Sequence, residues 1–405
     1  MAKNLFQSIF ILILANLIVK PLWIFGIDLK TQNVVGASSY GIYFVVFNFS
    51  FLFHILLDFG INQFHNKEVA QKPELLKQRF GNLILLKAIF SIAYLFISFL
   101  LAWLIGFNAL QFKMLLFLAL NQILLSFILF SRANFTAMQW YNWDAFFSVF
   151  DRILSIIVCL VLLYTSFVQQ FDIMYFIYAQ TFALLLSGFL SLLIVFYKGS
   201  IVKPSFSFQQ FKPLVLQAMP YAVVILLMTI YTRIDAVMLD KLLPNTGAVQ
   251  AGIYAAGYRL LDAVNMIPYL LASLLIPYFA KQISNKNSFS EVLWDSFKIM
   301  LAVCIPFVLV VFFFHQDIVK LLYHESNETW YLSFQLLLYS FPFIFITYIF
   351  GGFLTAAGKL KQISYYAFFT IILNVVLNVF LIRKYEASGA ALATIISQAV
   401  MALAQ

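Results

Sequence analysis

Long apolar runs follow one another along almost the whole chain, with only short polar breaks between them. Hydrophobic residues make up 63% of the sequence and charged residues 10%, against roughly 48% and 25% in soluble proteins. A membrane-spanning helix needs about 20 mainly apolar residues, whereas a spanning β-strand shows about ten of alternating character. Uniform runs such as 182–196 and 300–314 therefore predict an all-α integral membrane protein.

The length of 405 residues accommodates about 12 transmembrane helices with short loops. The twelve predicted spans lie at about 5–27, 41–63, 81–106, 114–131, 145–168, 173–197, 213–240, 252–280, 296–315, 332–357, 362–382 and 389–405.

Basic residues indicate the orientation of these spans. With a cytoplasmic N-terminus, the inner segments hold thirteen of the 25 Lys and Arg residues and the outer loops hold six, as the positive-inside rule requires. The net charge of +9 is then mainly an inner-surface property. A nucleic-acid partner would need one clustered basic face, and this distribution gives it little support.

An eight-residue motif occurs twice, as GASSYGIY at 36–43 and GAVQAGIY at 247–254, with five identical positions. Each copy leads into an even-numbered span, and the offset of 211 residues corresponds to six spans. Six is an even number, so both halves enter the membrane in the same direction. The sequence thus predicts two parallel-repeat six-helix bundles around a central cavity.

The loop-like segment around Lys198–Lys212 separates the two predicted bundles. We expect an N-terminal bundle at 1–200, a cytoplasmic linker at 201–212 and a C-terminal bundle at 213–405. The chain stops at Gln405 inside an apolar run, so we expect that its last helix is truncated.

The motifs of several enzyme classes are missing from the sequence. Gly358-Lys359 is followed by Leu360, and Phe353 stands where a Walker loop needs its first glycine, which argues against ATP hydrolysis. No His or carboxylate pair has helical metal-ligand spacing, and no Gly-x-Ser-x-Gly motif occurs. We therefore expect neither catalytic residues, nor a metal, nor a cofactor.

Six basic residues fall within the predicted spans, where each costs about 2.5–3.5 kcal/mol on insertion scales. Lys87 and Lys298 lie near span ends and are expected to extend to the inner surface. The deeper four are candidates for binding an anionic substrate, since such cations normally face the bundle interior. These four are Lys20, Arg152, Arg233 and Arg259.

Carboxylates offer a structural alternative for these cations. Asp262 is three residues from Arg259 on one helix face and could neutralise it, whereas Asp235 and Asp151 are poorly placed for their neighbours Arg233 and Arg152. The latter two arginines should therefore recruit partners from other helices.

Further polar residues of the spans are open to two interpretations. Asp58 either pairs with Lys87 or, like Asp235 and Asp262, serves ion coupling by H⁺ or Na⁺. Asn374 and Asn378 either join helices or line a cavity. Three tyrosines close to the arginines in sequence are candidates for stacking on sugars, or else pack in the core. They are Tyr231, Tyr254 and Tyr258.

Several segments resemble the bacterial polysaccharide transporter family, which includes the O-antigen flippases and belongs to the multidrug, oligosaccharidyl-lipid and polysaccharide exporter (MOP) superfamily. The similarity is carried by the two GxxxxGIY copies, Leu57-Asp58-Phe59-Gly60, Arg233-Ile234-Asp235, Tyr258-Arg259, Leu373–Asn378 and Gly389-Ala390-Ala391. It extends over essentially the whole chain.

This resemblance implies a flippase of the bacterial cytoplasmic (inner) membrane. It would move undecaprenyl-diphosphate-linked oligosaccharide from the inner to the outer leaflet for surface polysaccharide such as O-antigen and lipopolysaccharide. Its partners would be the lipid-linked oligosaccharide, membrane lipid, the coupling ion and the polysaccharide polymerase machinery. A cation-coupled multidrug exporter, a peptidoglycan-precursor flippase and, less well supported, a membrane-bound polysaccharide polymerase are the alternatives.

Overall fold

The computed structural model describes residues 15–165, 168–199, 208–284 and 290–405, and their regular structure is helical. Within these ranges, ten helical segments are long and apolar enough to cross a membrane, so the chain is a multi-pass integral membrane protein. The start of the first predicted span and residues 201–207 of the predicted linker lie outside the described residues.

Fourteen helices are numbered along the described ranges. They are α1 (Ala15–Leu52), α2 (Ile61–Gln71), α3 (Glu74–Leu104), α4 (Ala109–Ala137), α5 (Tyr141–Phe147), α6 (Phe150–Tyr164), α7 (Ile173–Gly199), α8 (Phe208–Leu242), α9 (Gly247–Val264), α10 (Met266–Ser284), α11 (Ser290–Leu322), α12 (Glu328–Tyr339), α13 (Phe341–Ala356) and α14 (Leu360–Ala404).

Two long helices account for the difference between twelve predicted spans and ten observed segments. Helix α1 covers the described part of the first span, the loop expected after it and the second span as far as Leu52, and it departs from helical geometry at Gly36 (φ 80°, ψ 163°). Helix α14 covers the last two spans and breaks at Glu386 (φ 52°, ψ −129°). Each is two helices joined at a kink, so the polar residues expected to form loops there are helical.

The second predicted span, 41–63, also ends earlier than expected. Helix α1 stops at Leu52, a 3₁₀ turn covers His54–Leu57, and Phe59 and Gly60 both have positive φ. Two consecutive residues with positive φ end a right-handed helix, because a right-handed helix needs negative φ at every residue. The sequence Leu-Asp-Phe-Gly is therefore a turn that separates α1 from the polar helix α2.

Contacts divide the chain into two compact units. Unit 1 comprises Met1–Thr31 and Phe49–Ala222, and unit 2 comprises Gln32–Asn48 and Val223–Gln405. In unit 1, helix α4 packs against α7 and α2, and α6 packs against α7. Its core around Phe80 and Phe130 is built from stacked aromatic side chains, with ring centroids 5.1 Å apart.

In unit 2, α10 packs against α13, α9 against α12, and α14 against both α12 and α13. The buried side chains of one core cluster include Tyr231, Ile363 and Met401.

Both copies of the repeated motif lie in unit 2, where they pack against each other. A methyl group at Gly41 would overlap the backbone of Ala248, and one at Gly252 would overlap the backbone of Ala37. These four residues occupy equivalent positions of the two copies, since 37 and 41 plus the offset of 211 give 248 and 252. The contact is therefore reciprocal, and glycine is required at the same position of each copy.

Candidate functional site

Arg233 lies on α8 and is bound by polar groups from two other segments of unit 2. Its Nη1 is 3.3 Å from Asp262 Oδ2 on α9 and 3.3 Å from Asn48 Oδ1. Its guanidinium also lies 5.2 Å from the ring centroid of Tyr258. The expectation that Arg233 recruits its carboxylate from another helix is confirmed, and Asp262 is that carboxylate.

Arg259 lies on α9 among aromatic rings. Its Nε donates to the Tyr40 hydroxyl at 3.1 Å, and its guanidinium carbon is 5.3 Å from the ring centroids of both Phe44 and Phe47. Tyr258 connects the two arginines, because its ring lies under Arg233 and 5.9 Å from the ring of Phe44, which contacts Arg259. Unit 2 thus holds two neighbouring guanidinium groups, and Asp262 pairs with Arg233 although the sequence favoured Arg259 as its partner.

The second carboxylate of this region, Asp235, is buried with 1% of its surface exposed. Its Oδ1 accepts from Asn378 Nδ2 at 2.6 Å, and its Oδ2 lies 2.9 Å from the Tyr254 hydroxyl and 2.7 Å from Thr394 Oγ1. These donors are all neutral. The carboxylate of Asp235 is therefore stabilised by neutral hydrogen-bond donors, whereas the carboxylate of Asp262 pairs with a guanidinium.

The hydrogen-bonding groups around Asp235 are incompletely paired. Thr394 has one hydroxyl proton but lies within hydrogen-bond distance of both Asp235 and the carbonyl oxygen of Ala390. The buried Asn378 Oδ1 has no hydrogen-bond partner among the described residues, and Asn378 Nδ2 also lies 3.0 Å from Asn374 Oδ1. Asn374 Nδ2 has no partner among the described residues either. A carboxylate beside an uncommitted amide oxygen offers oxygen ligands that suit a small hard cation. Asn378 also joins two helices, as the first interpretation of this pair predicted, while Asn374 bonds Asn378 within one helix.

The three tyrosines expected to stack on sugars or to pack in the core are buried, with 1–7% of their surface exposed. Tyr231 donates to Gln398, Tyr254 bonds Asp235, and Tyr258 donates to the carbonyl oxygen of Thr232 at 2.7 Å. In this conformation they pack in the core of unit 2 and position the charged groups, which matches the second interpretation. Tyr258 does so directly, because its ring lies under Arg233.

Unit 1 holds the other two candidate cations. Arg152 on α6 lies 3.7 Å from the neighbouring Asp151 and 5.1 Å from the ring centroid of Trp23. The expectation that Asp151 is too poorly placed to pair with Arg152 is therefore wrong, because the long arginine side chain folds back to it. Lys20 is exposed and lies within electrostatic range of Arg152 and Arg132.

Arg132 is a member of this cationic group that the sequence did not single out, because it was assigned to an inner loop. Helix α4 continues to Ala137 and carries Arg132, whose Nε is 2.7 Å from Asp144. The predicted end of span four at residue 131 placed Arg132 outside the helix, although the helix continues for six more residues.

Lys87 and Asp58 form the predicted ion pair, with Nζ 3.3 Å from Oδ1. Lys87 also donates to the carbonyl oxygen of Leu57 at 3.0 Å and is 1% exposed, so the expectation that it extends to the membrane surface is wrong. The turn at Leu57–Gly60 leaves a helix-end carbonyl unsatisfied, and the lysine binds it from inside the unit. Lys298, by contrast, is exposed beside Asp295, as expected.

Two models of known protein families match the chain. The family model described as "Polysaccharide biosynthesis protein" matches residues 5–283. The chain belongs to this family. A second model, MatE, matches residues 220–380, and no curated protein matches the sequence.

Solved structures show the same fold at low sequence identity. A lipid II flippase, MurJ, in an inward closed conformation is 18% identical, with a TM-score of 0.72 over 97% of this chain and 86% of that one. An inward-facing MATE-family multidrug resistance transporter of the MOP superfamily is 16% identical, with a TM-score of 0.69 over 97% and 92%. The Vibrio cholerae MATE transporter VcmN, in the bent form, is 15% identical, with a TM-score of 0.61 over 100% and 94%.

The fold of this polysaccharide biosynthesis family member is thus the MOP transporter fold, as predicted, and it covers nearly the full chain. The sequence located both cations of unit 2 and the carboxylates Asp235 and Asp262. It missed the partners that come from the segment Gln32–Asn48, because residues 185 and 219 positions apart share no periodic pattern.

Proposed function

We propose that this protein is a flippase for undecaprenyl-diphosphate-linked oligosaccharide, moving it from the inner to the outer leaflet for surface polysaccharide biosynthesis. The observation that carries the proposal is the pair of guanidinium groups in unit 2, in a member of the polysaccharide biosynthesis family. An anionic diphosphate in a membrane protein requires such cations, and arginine binds phosphate oxygens through two parallel hydrogen bonds.

The partners of the arginines support a role in reversible binding. Arg233 is held by a carboxylate and an amide, with 19% of its side chain exposed, and Arg259 rests on aromatic rings. Aromatic faces stabilise a guanidinium without a full negative charge, so it keeps the capacity to bind an anion. The partly exposed group of Lys20, Arg132 and Arg152 is the corresponding candidate in unit 1.

We assign ion coupling to Asp235 rather than to Asp58 or Asp262. Asp58 is paired with Lys87, and Asp262 with Arg233, whereas the partners of Asp235 are an amide and two hydroxyls. Movement of H⁺ or Na⁺ through this site would supply the free energy for transport. The arrangement of a carboxylate, two amide oxygens and a hydroxyl suits Na⁺, whose ligands are oxygen atoms.

The remaining elements of the proposal follow from the cargo. The protein would work in the bacterial cytoplasmic membrane with its N-terminus inside, because a lipid-linked glycan built on the inner leaflet must cross this membrane. Its product would pass to polysaccharide polymerase machinery. The lipid II flippase is similar in fold, so a peptidoglycan precursor is the second candidate cargo.

The test is a lipid extraction from source cells that lack the gene, followed by mass spectrometry of undecaprenyl-linked oligosaccharide. Accumulation of an intact glycan, inaccessible to a membrane-impermeant periodate probe, is expected, and its mass separates a polysaccharide repeat unit from a peptidoglycan precursor. Normal lipid and normal surface glycan would contradict the proposal and favour a multidrug exporter.

Complementation with point variants tests the cation site in the same cells. Arg233→Ala and Arg259→Ala should each restore little transport, while Lys298→Ala should restore it fully because Lys298 is exposed beside Asp295. Equal effects of all three variants would contradict the assignment.

A further inference from the structure

A polar hollow of about 540 Å³ lies within unit 2 and takes no part in the mechanism proposed above. It is formed by the last turns of α11, the first turns of α12 and the break in α14. Ten of its eleven lining residues are polar or tyrosine, in a chain that is 63% hydrophobic. Polar and tyrosine side chains concentrated beside the ends of apolar helices are expected at the membrane boundary.

One wall of the hollow is fixed by hydrogen bonds. Glu386 has a left-handed backbone, and its carboxylate accepts from Gln250 Nε2 at 2.7 Å and from Thr246 Oγ1 at 3.2 Å. The amide of Ala387 donates to Gln250 Oε1 at 3.2 Å. Strained backbone persists only where its surroundings hold it, so this wall is preformed rather than a gap between loose loops.

Charges of both signs line the hollow. Lys384 is its basic residue, and Glu328 and Glu386 are its acidic residues. Since Glu386 is engaged by Gln250, Lys384 and Glu328 are the charged groups best suited to a ligand. A polyanion would be repelled by the glutamates, whereas a ligand with one phosphate and one ammonium group complements both.

Apolar side chains continue each lining element towards the membrane interior. Three hollow residues have an exposed apolar residue four positions deeper on the same helix face, namely Gln316 with Phe312, Lys384 with Phe380, and Glu328 with Leu332. The exposed fractions of these apolar residues are 56%, 71% and 48%. The hollow therefore opens onto a surface suited to acyl chains.

We propose that this hollow binds a phosphatidylethanolamine-type lipid, with its phosphate at Lys384, its ammonium group at Glu328 and its chains along Phe312, Phe380 and Leu332. The volume of the hollow lies within the range of about 300–1,000 Å³ that is usual for small-molecule sites. Tyr331 and Tyr385 contribute rings with a polar edge, which are favoured at this depth of a membrane. This inference does not depend on the cargo of the transporter.

The test is native mass spectrometry of the full chain released from nanodiscs that contain equal parts of phosphatidylethanolamine, phosphatidylcholine and phosphatidylglycerol. The wild type should retain phosphatidylethanolamine in preference to the other two. Glu328→Gln/Lys384→Gln should retain it about tenfold less, because two charge-assisted contacts are lost. Glu328→Lys should shift the preference to phosphatidylglycerol, a gain that a misfolded protein would not show.

The matched control is Asp295→Asn/Lys298→Gln, which removes an exposed ion pair from the other end of α11 and should leave lipid retention unchanged. Equal retention by the wild type and the Glu328/Lys384 variant would overturn the proposal. So would equal binding of phosphatidylcholine, which has no ammonium N–H, or displacement of the lipid by a soluble neutral trisaccharide, which would assign the hollow to sugars.

Discussion

Each unit holds a carboxylate among its helices, and the two are stabilised in different ways. Asp58 in unit 1 faces the ammonium group of Lys87, which is 1% exposed. Asp235 in unit 2 faces an amide and two hydroxyls. A charge with a buried opposite charge beside it is a fixed structural element, while a buried charge with neutral donors can exchange a cation. By this criterion Asp58 stabilises the fold of unit 1, whereas Asp235 is the carboxylate suited to binding a cation.

The largest effect is expected from Asp58→Asn, which leaves the Lys87 ammonium buried without its counter-ion. An uncompensated buried charge costs about 3–5 kcal/mol, so the thermal stability and yield of the purified protein should fall sharply. The double variant Asp58→Asn/Lys87→Met should recover most of the loss. Asp295→Asn, in an exposed pair, should have almost no effect. Failure of the double variant to recover would show that Asp58 has another role.

Asp235→Asn should have the opposite profile, with stability close to that of the wild type and transport reduced about 100-fold. Replacing a carboxylate by an amide of the same shape keeps the hydrogen bonds possible but removes the charge that attracts a cation. Transport of the lipid-linked glycan in proteoliposomes, measured with and without a Na⁺ gradient and a pH gradient, identifies the ion. A variant that retains its dependence on that gradient would remove Asp235 from the coupling site.

Asn378→Asp sharpens the contrast, because it adds a second carboxylate at a side chain that lies 2.6 Å from the first. Ligand charge sets the affinity of oxygen sites for cations, so half-maximal transport should need about tenfold less Na⁺ if Na⁺ is the coupling ion. Slower turnover should accompany the tighter binding. For proton coupling, the same variant should instead shift the pH dependence of transport and leave the Na⁺ response flat.

The smallest effect concerns His65, which lies outside the membrane-spanning segments of unit 1 and bonds Asn134 at 3.0 Å. Burial lowers the pKa of His65 from 6.5 to about 4, so the folded protein keeps it neutral while the unfolded chain takes up a proton. Its contribution to stability is present above pH 6.5 and is lost as the pH falls towards 4, by about 1 kcal/mol between about pH 7 and 5.5. Thermal melts of His65→Gln should depend less on pH over this interval.

Identical pH profiles for the wild type and His65→Gln would contradict this account of unit 1.

The fold was predictable because its determinants are local. Apolar runs indicated the helices, and the offset of 211 residues indicated the internal repeat. Two breaks fall within the predicted inter-span segments 28–40 and 383–388, but they are kinks at Gly36 and Glu386 rather than polar loops. The depth of a residue within its helix was predicted least well. Lys87 was placed near the end of a span, but helix α3 begins at Glu74, thirteen residues before Lys87.

The candidate site was predictable in its members and not in its pairings. Asp235, Asn374, Asn378 and Arg233 could each be singled out as polar residues within apolar runs, since such residues are costly there. Their grouping depends on α8, α9 and α14 coming together, which no spacing along the chain expresses. Asp262 shows the limit, because it pairs with Arg233 across helices although Arg259 is its neighbour on α9.

The reciprocal packing of Gly41 on Ala248 and of Gly252 on Ala37 limits how the two copies of the repeated motif can vary. Three of the eight positions differ between the copies. Here a side chain added to either glycine collides with the backbone of the other copy, and a backbone collision is not relieved by a smaller side chain on the partner. Both copies of the motif are thus restricted to glycine at this one position, whatever changes occur at their other positions.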